Sequence, residues 1–319
     1  MNERNQLFFK LIVSHFVLPL ITIALSFIFR KDFFLFLTIS QTLLIIVLLA
    51  GYWEFFGLLV KRLFIVVSEI MILISVWAKL AQENSADNYY HLIILLIVIQ
   101  VYLLVLLGKI ILVIFKPEEE NVDIEFPFKN GLYLITDGGN SKTSRLMNYH
   151  FHSHLHKKKN TNRSMLFATD IVKLNQLQPN FLFEQNENYP IFSEEIFSPV
   201  SGEVIKVVDS IQDNIPFSGN YPYNTGNTVV IKNGTYFLLM GHFKKGSIGV
   251  SVGAFVNKGD LIGRVGNSGM SERPHIHMQL IKSESDDYWK GTGINIRYNN
   301  RNLYKNRSVK LTLNNEATY

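Results

Sequence analysis

Apolar residues fill the first third of the chain in long unbroken stretches, then give way near position 116 to short apolar runs set between polar clusters. Stretches at roughly 11–29, 33–52, 63–80 and 91–115 are each about 18 or more residues long, enough for a helix to cross a hydrocarbon core. They predict an N-terminal α-helical membrane domain over residues 1–116 with about four spans. Arg30-Lys31-Asp32, Lys61-Arg62 and the polar run from Gln82 to Asp87 form the expected breaks. No Ala-x-Ala-like site follows the first stretch, so it is expected to stay as an anchor. Glu69 falls inside the third stretch and is read as facing a neighbouring helix or water. Trp53, Trp77, Tyr89 and Tyr90 lie near segment ends, where amphipathic rings favour the headgroup layer.

Beyond position 116 the pattern is that of a different solvent. Lys116-Pro117-Glu118-Glu119-Glu120 begins an expected linker over residues 117–129, and a second domain is expected over 130–319. Runs such as Val204 to Val208, Thr228 to Ile231 and Tyr236 to Met240, spaced by Gly, Asn, Ser and Pro, predict an all-β sandwich or barrel. Asn233-Gly234 is a hairpin signal, and Val309 to Leu313 is a candidate edge strand.

Charge follows the same division. Of the 31 basic and 26 acidic residues, 9 and 6 precede position 117, leaving 22 and 20 after it. The C-terminal part is thus close to neutral and lacks the basic stripe of a nucleic-acid binder; Lys157-Lys158-Lys159 reads as a solvated loop. With no cysteine, disulfides, thiolate catalysis and Cys-ligated metal are excluded, so any metal site must use His, Asp or Glu.

Seven of the nine histidines lie between positions 150 and 277, a clustering that points to metal or acid/base work. In Pro274-His275-Ile276-His277-Met278-Gln279-Leu280, read as a strand, His275 and His277 share one face about 6–7 Å apart. Two imidazoles so placed suit one metal and its water, although a bare His-x-His is also common as a structural pair.

The run around this pair is more specific. Val250, Gly253, Val256, Gly259, Ile262, Gly263, Gly266, Ser268 and Gly269, followed by Pro-His-Ile-His, resemble the signature of the lysostaphin/LytM-type peptidases. Gly241-His242-Phe243 and Ser198-Pro199-Val200-Ser201-Gly202-Glu203-Val204 are similar to two further segments of that family, the second with Ser in place of Ala. The resemblance covers about half the chain, over a motif-bearing core of about 130–283, and excludes the membrane part. It implies an antiparallel β sandwich or open barrel of the LytM type, a bound Zn2+, and hydrolysis of peptide bonds in bacterial peptidoglycan.

One departure concerns the first metal ligand. Many members carry H-x-x-x-D, yet Leu166 stands four residues before Asp170, within Phe167-Ala168-Thr169-Asp170-Ile171, which otherwise resembles the family's segment. The nearest histidines are His150, His152, His154 and His156, and Asn148-Tyr149-His150 resembles the N-x-H placement of some relatives. His150 is therefore preferred, with His152 second. The resemblance implies His150, Asp170 and His277 as metal ligands and His242 and His275 as catalytic groups that move protons. Gly266-Asn267-Ser268-Gly269 is read as a tight turn, since no Lys-Ser/Thr or helix follows to make a phosphate cradle.

Two other readings compete: a non-catalytic LytM-like module that binds wall or regulates a hydrolase, and a phosphocarrier on a related β fold. A topological conflict also stands. Four spans put Arg4, Lys10, Lys61, Arg62, Lys109 and Lys116 on the side of both termini, against Arg30, Lys31 and Lys79 opposite, which favours a cytoplasmic second domain. The resemblance implies an extracytoplasmic one on a multi-pass protein of the bacterial membrane, with the bilayer and peptidoglycan peptides as its partners.

Overall fold

The computed structural model describes residues 3–29, 32–80, 90–150, 163–175, 182–219, 221–222 and 224–312. The chain divides into two compact units, Met1–Leu112 and Val113–Tyr319.

Helices α1 (Glu3–Ile12), α2 (Leu18–Ile28), α3 (Phe33–Ala50), α4 (Gly57–Leu80) and α5 (Tyr90–Phe115) build the first region. α1 and α2 join through a π-helical stretch, Val13–Val17, so they act as one long rod. Four helices long and apolar enough to cross a membrane result: Arg4–Ile28, Phe33–Ala50, Gly57–Leu80 and His91–Phe115. The widened π turn carries His15, whose Nε2 accepts the Tyr52 N–H at 2.7 Å and whose ring lies among Phe16, Trp53 and Phe56.

Two expectations change. Lys61-Arg62 is not a break but lies inside α4, where the Lys61 Nζ stands 5.8 Å from the centroid of the buried Trp53 ring, so the long stem lets the helix continue. Trp53 is fully buried, its indole N–H donating to the Val47 carbonyl at 2.9 Å, whereas Trp77 is exposed. Glu69 is exposed on α4. Tyr89 and the side chain of Tyr90 lie outside the described residues.

The second unit is β-rich. Its strands are β1 (Asn121–Asp123), β2 (Gly131–Asp137), β3 (Thr169–Leu174), β4 (Glu195–Phe197), β5 (Gly202–Val208), β6 (Asn227–Asn233), β7 (Tyr236–Phe243), β8 (Phe255–Val256), β9 (Leu261–Arg264), β10 (Ile276–Lys282), β11 (Thr292–Tyr298), β12 (Arg301–Asn302) and β13 (Ser308–Leu311). One eleven-stranded sheet runs β13-β2-β3-β10-β7-β6-β5-β8, and β4 and β9 pair as a small second sheet. β10 is the branch point: β7 pairs with it along one edge, while on the other edge β3 takes Ile276 to Met278 and β11 takes Leu280 to Lys282. The end strands β13 and β8 do not pair with each other among the described residues, so the sheet is open, and β13 is the edge strand that its sequence suggested.

Side-chain alternation puts Val229, Ile231, Leu238, Met240, Ile276 and Met278 into the main core, where Ile196 of β4 and Ile262 of β9 also pack. Val230, Phe237, Leu239 and Ile281 form a smaller cluster with Tyr288. Central strands buried on both faces explain why their runs are apolar throughout rather than alternating. The 117–129 stretch is not a bare linker. β1 pairs in parallel with β11, and Ile124, Phe126 and Phe128 enter the main core. Their spacing of two is a strand-like pattern that the preceding glutamates and proline obscure.

Candidate metal centre

Register brings the first two groups together. Ile276 and Met278 face the main core, so His277 and Gln279 point the other way, and His277 stands directly opposite Asp170 of β3. The His277 Nδ1 lies 2.9 Å from Asp170 Oδ1. His275, one residue ahead of β10, holds its Nε2 3.6 Å from Asp170 Oδ2.

His242 arrives by a backbone irregularity. Along β6 and β7, Thr228 pairs with Gly241 and Asn227 with Phe243, leaving His242 as the extra residue of a bulge with φ 67°. This left-handed conformation is uncommon for a residue with a Cβ. It turns the imidazole toward the site, with ring centroids 4.7 Å from His275 and 5.7 Å from His277.

The Gly266–Gly269 segment is a tight turn, and it serves this histidine. The Ser268 hydroxyl donates to the Phe243 carbonyl at 2.7 Å and accepts the Asn227 N–H at 2.9 Å, while the Ser268 carbonyl accepts from His242 Nδ1 at 2.7 Å. Gly269 has φ 75° and lies so near the Gly226 backbone that a Cβ would collide with it.

His150 completes the group. Its Nε2 is 3.3 Å from Asp170 Oδ2, and its ring lies 4.8 Å from that of His277. One ligand atom from each of His150, Asp170 and His277 lies within 4.8 Å of the others. His152, His154 and His156, and the expected strand face they would share with His150, lie outside the described residues.

The chemistry of this donor set fits a cation. Asn148 Nδ2 donates to two carbonyls, Gly139 and Ala168, each at 2.8 Å, so its Oδ1 must be the atom facing His150 Nδ1 at 2.8 Å. His150 Nδ1 therefore carries the proton when the ring is neutral, and Nε2 presents a lone pair to Asp170. His277 repeats the arrangement, with Nε2 3.1 Å from Gln279 Oε1 and Nδ1 turned on Asp170. His275 and His242 likewise donate through Nδ1 to the Arg273 and Ser268 carbonyls, at 2.8 and 2.7 Å. Lone pairs aimed at a carboxylate repel it unless a positive charge stands between them. A metal with N and O preference would satisfy His150, Asp170 and His277 together.

Without a metal, protons take that place. Burial pushes the Asp170 carboxyl up, but His150 and His275 more than reverse this and hold it well below the usual carboxylate range. Burial also pushes His150 down, and the charges of Asp170 and Asp137 override it, so its value rises. His242 has no such carboxylate in direct contact; burial, then the neighbouring His275 and His277, hold it well below the ordinary imidazole value. Burial lowers His275 as well.

Two contributors escaped the sequence reading. Gln279 follows His277 by two positions on the same strand face, a spacing that marks it as a neighbour of the imidazole. Asp137 stands opposite Asp170 on β2, but only strand pairing reveals this.

Residues 191–294 match the model of peptidase family M23, a stretch that holds His242, His275 and His277 but begins after His150 and Asp170. Among curated proteins none matches the sequence. Solved structures similar to the chain include a zinc-containing peptidase from Vibrio cholerae, 21% identical, covering 53% of this chain and 39% of that one, with a TM-score of 0.31. Lysostaphin is 20% identical over 38% of each chain, with a TM-score of 0.25. The M23 metalloprotease pseudoalterin is 14% identical over 54% of this chain and 74% of its own, with a TM-score of 0.30. The chain thus spans about two fifths of the length of the first two. The stretch that matches the model of peptidase family M23 thus carries three of the clustered histidines, His242, His275 and His277.

Proposed function

We propose that the chain is a zinc-dependent endopeptidase, held in a bacterial membrane by its four helices, that hydrolyses peptide bonds of peptidoglycan with the β unit on the outer side. The observation that carries this reading is the convergence of His150, Asp170 and His277 on one point, each histidine's outer nitrogen engaged by an amide oxygen. These three residues would hold the metal. Zinc, when bound, supplies Lewis acidity, which makes a water nucleophilic near neutral pH and polarises the carbonyl it attacks.

His242 and His275 would do the remaining work. Because Nδ1 of each is committed to a backbone carbonyl, the proton they exchange must pass through Nε2. One takes the proton of the attacking water and delivers it to the leaving amine, and a charged imidazole beside the scissile carbonyl stabilises the developing oxyanion. The retained cluster argues against a binding-only module, and the carboxylate at its centre argues against a phosphocarrier.

The test is zinc content and peptidoglycan digestion by the purified chain beside its His277→Ala variant. About one zinc per chain, with new amine ends released by the parent alone, is expected. A folded parent without zinc or activity would overturn the reading. Orientation is checked separately: the chain has no cysteine, so Lys206→Cys on the exposed face of β5 is a single label site. Labelling of intact cells by an impermeant thiol reagent is expected; labelling only after lysis would put the β unit inside.

A further inference from the structure

We propose that Asn148 is the positioning residue of the metal centre, replacing the rigid short spacing that this chain lacks between its first histidine and Asp170. The inference rests on the metal-site reading above. A histidine four residues before an aspartate is placed by the local backbone alone. Here twenty positions separate His150 from Asp170, so another device must hold the ring.

Asn148 has the required contacts. Fully buried, it donates to the Gly139 carbonyl just beyond β2 and to the Ala168 carbonyl just before β3, at 2.8 Å each. It thereby clasps its own segment to the ends of the two strands beside which the site is built. The same segment is tied at two further points. The Gly138 N–H donates to the Met147 carbonyl at 3.2 Å, and the Tyr149 N–H donates to Asp137 Oδ1 at 3.1 Å. With both amide protons of Asn148 used, its Oδ1 accepts the His150 N–H at 3.2 Å and faces His150 Nδ1 at 2.8 Å. One side chain therefore fixes where the imidazole sits, which nitrogen bears the proton, and that Nε2 is the atom given to the metal. It also explains how a chain carrying four nearby histidines favours His150: that ring alone stands two residues beyond this amide.

The experiment is a double-mutant cycle on the full chain in detergent, reading Zn2+ affinity by competition with a chromophoric chelator. The variants are Asn148→Ala, His150→Ala and the pair, with the unfolding midpoint of each metal-free variant recorded separately. Loss of an outer partner of a ligand histidine typically weakens metal binding about 10–100-fold. That drop is expected for Asn148→Ala in the parent and should vanish in the His150→Ala background, whereas any loss of fold stability should persist in both. Equal weakening in both backgrounds, or none in the parent, would overturn the proposal. If Asn148→Ala does not fold, Asn148→Ser, which retains an acceptor oxygen in a smaller side chain, is carried through the same cycle. Should the parent itself bind zinc no better than His150→Ala and His277→Ala, the metal-site reading is what fails, a result distinct from failure of the clasp.

Discussion

The strained backbone at His242 yields a sign-reversal prediction. At φ 67° any residue with a Cβ is disfavoured by roughly 1–2 kcal/mol, whereas glycine adopts this region freely. Against that, glycine costs about 0.5–1 kcal/mol in chain entropy relative to alanine. His242→Ala and His242→Gly both lose the Nδ1 hydrogen bond to the Ser268 carbonyl and leave nearly the same cavity, so those losses cancel in the comparison. The difference leaves His242→Gly more stable than His242→Ala by about 1 kcal/mol. For a unit of this size that is about 2–4 °C in unfolding midpoint. Glu203, exposed on β5 in extended backbone, is the control: there alanine should exceed glycine by about 0.5–1 kcal/mol. Denaturant unfolding of the metal-free variants reads both pairs. Peptide hydrolysis should fall at least about a hundredfold in both His242 variants, as for loss of an acid/base group. If alanine proves the more stable residue at position 242, the bulge does not hold the strained conformation and the account of how this imidazole is aimed is wrong.

Other consequences follow from the same site. Gln279→Leu keeps the volume but leaves the His277 Nε2–H without its acceptor; about 10–100-fold weaker zinc binding is expected in equilibrium titration, with Gln279→Glu retaining more affinity because it keeps an acceptor. Gly269→Ala introduces a Cβ against the Gly226 backbone at positive φ; a stability loss of at least about 1–3 kcal/mol and reduced kcat are expected at unchanged zinc per folded chain, and wild-type stability would disprove the close approach. Free zinc at about a thousandfold above Kd should stabilise the parent by about 4 kcal/mol, a shift that calorimetry should not find in His277→Ala. A proton competes with the metal for His150, whose value in the metal-free site burial lowers but Asp170 raises on balance above the ordinary imidazole value of about 6.5. Zinc affinity should therefore already be falling above that pH as pH drops, by up to tenfold per unit for the proton displaced; a flat profile would remove His150 from the ligand set.

Much of this was legible along the chain because it rests on local periodicity. Long apolar stretches mark helices for a hydrocarbon solvent whatever their neighbours do, and short runs broken by turn residues mark strands. His275 and His277 could be put on one face from their spacing alone. The boundary error at Lys61-Arg62 has a plain cause: the pair looks like a break, yet long charged side chains let a helix continue past them.

What sequence could not decide was which distant residues meet. Asp170 faces His277 because β3 and β10 are neighbours in one particular register, and a one-residue slip would turn the carboxylate to the opposite face. His150, which comes from outside any strand, is held by Asn148 across a gap that has no periodicity to read. The residue types of the centre, and the partners two positions away from His150, His275 and His277, are thus local to the sequence, whereas the meeting of His150, Asp170 and His277 at one point belongs to long-range strand pairing, which no local pattern encodes.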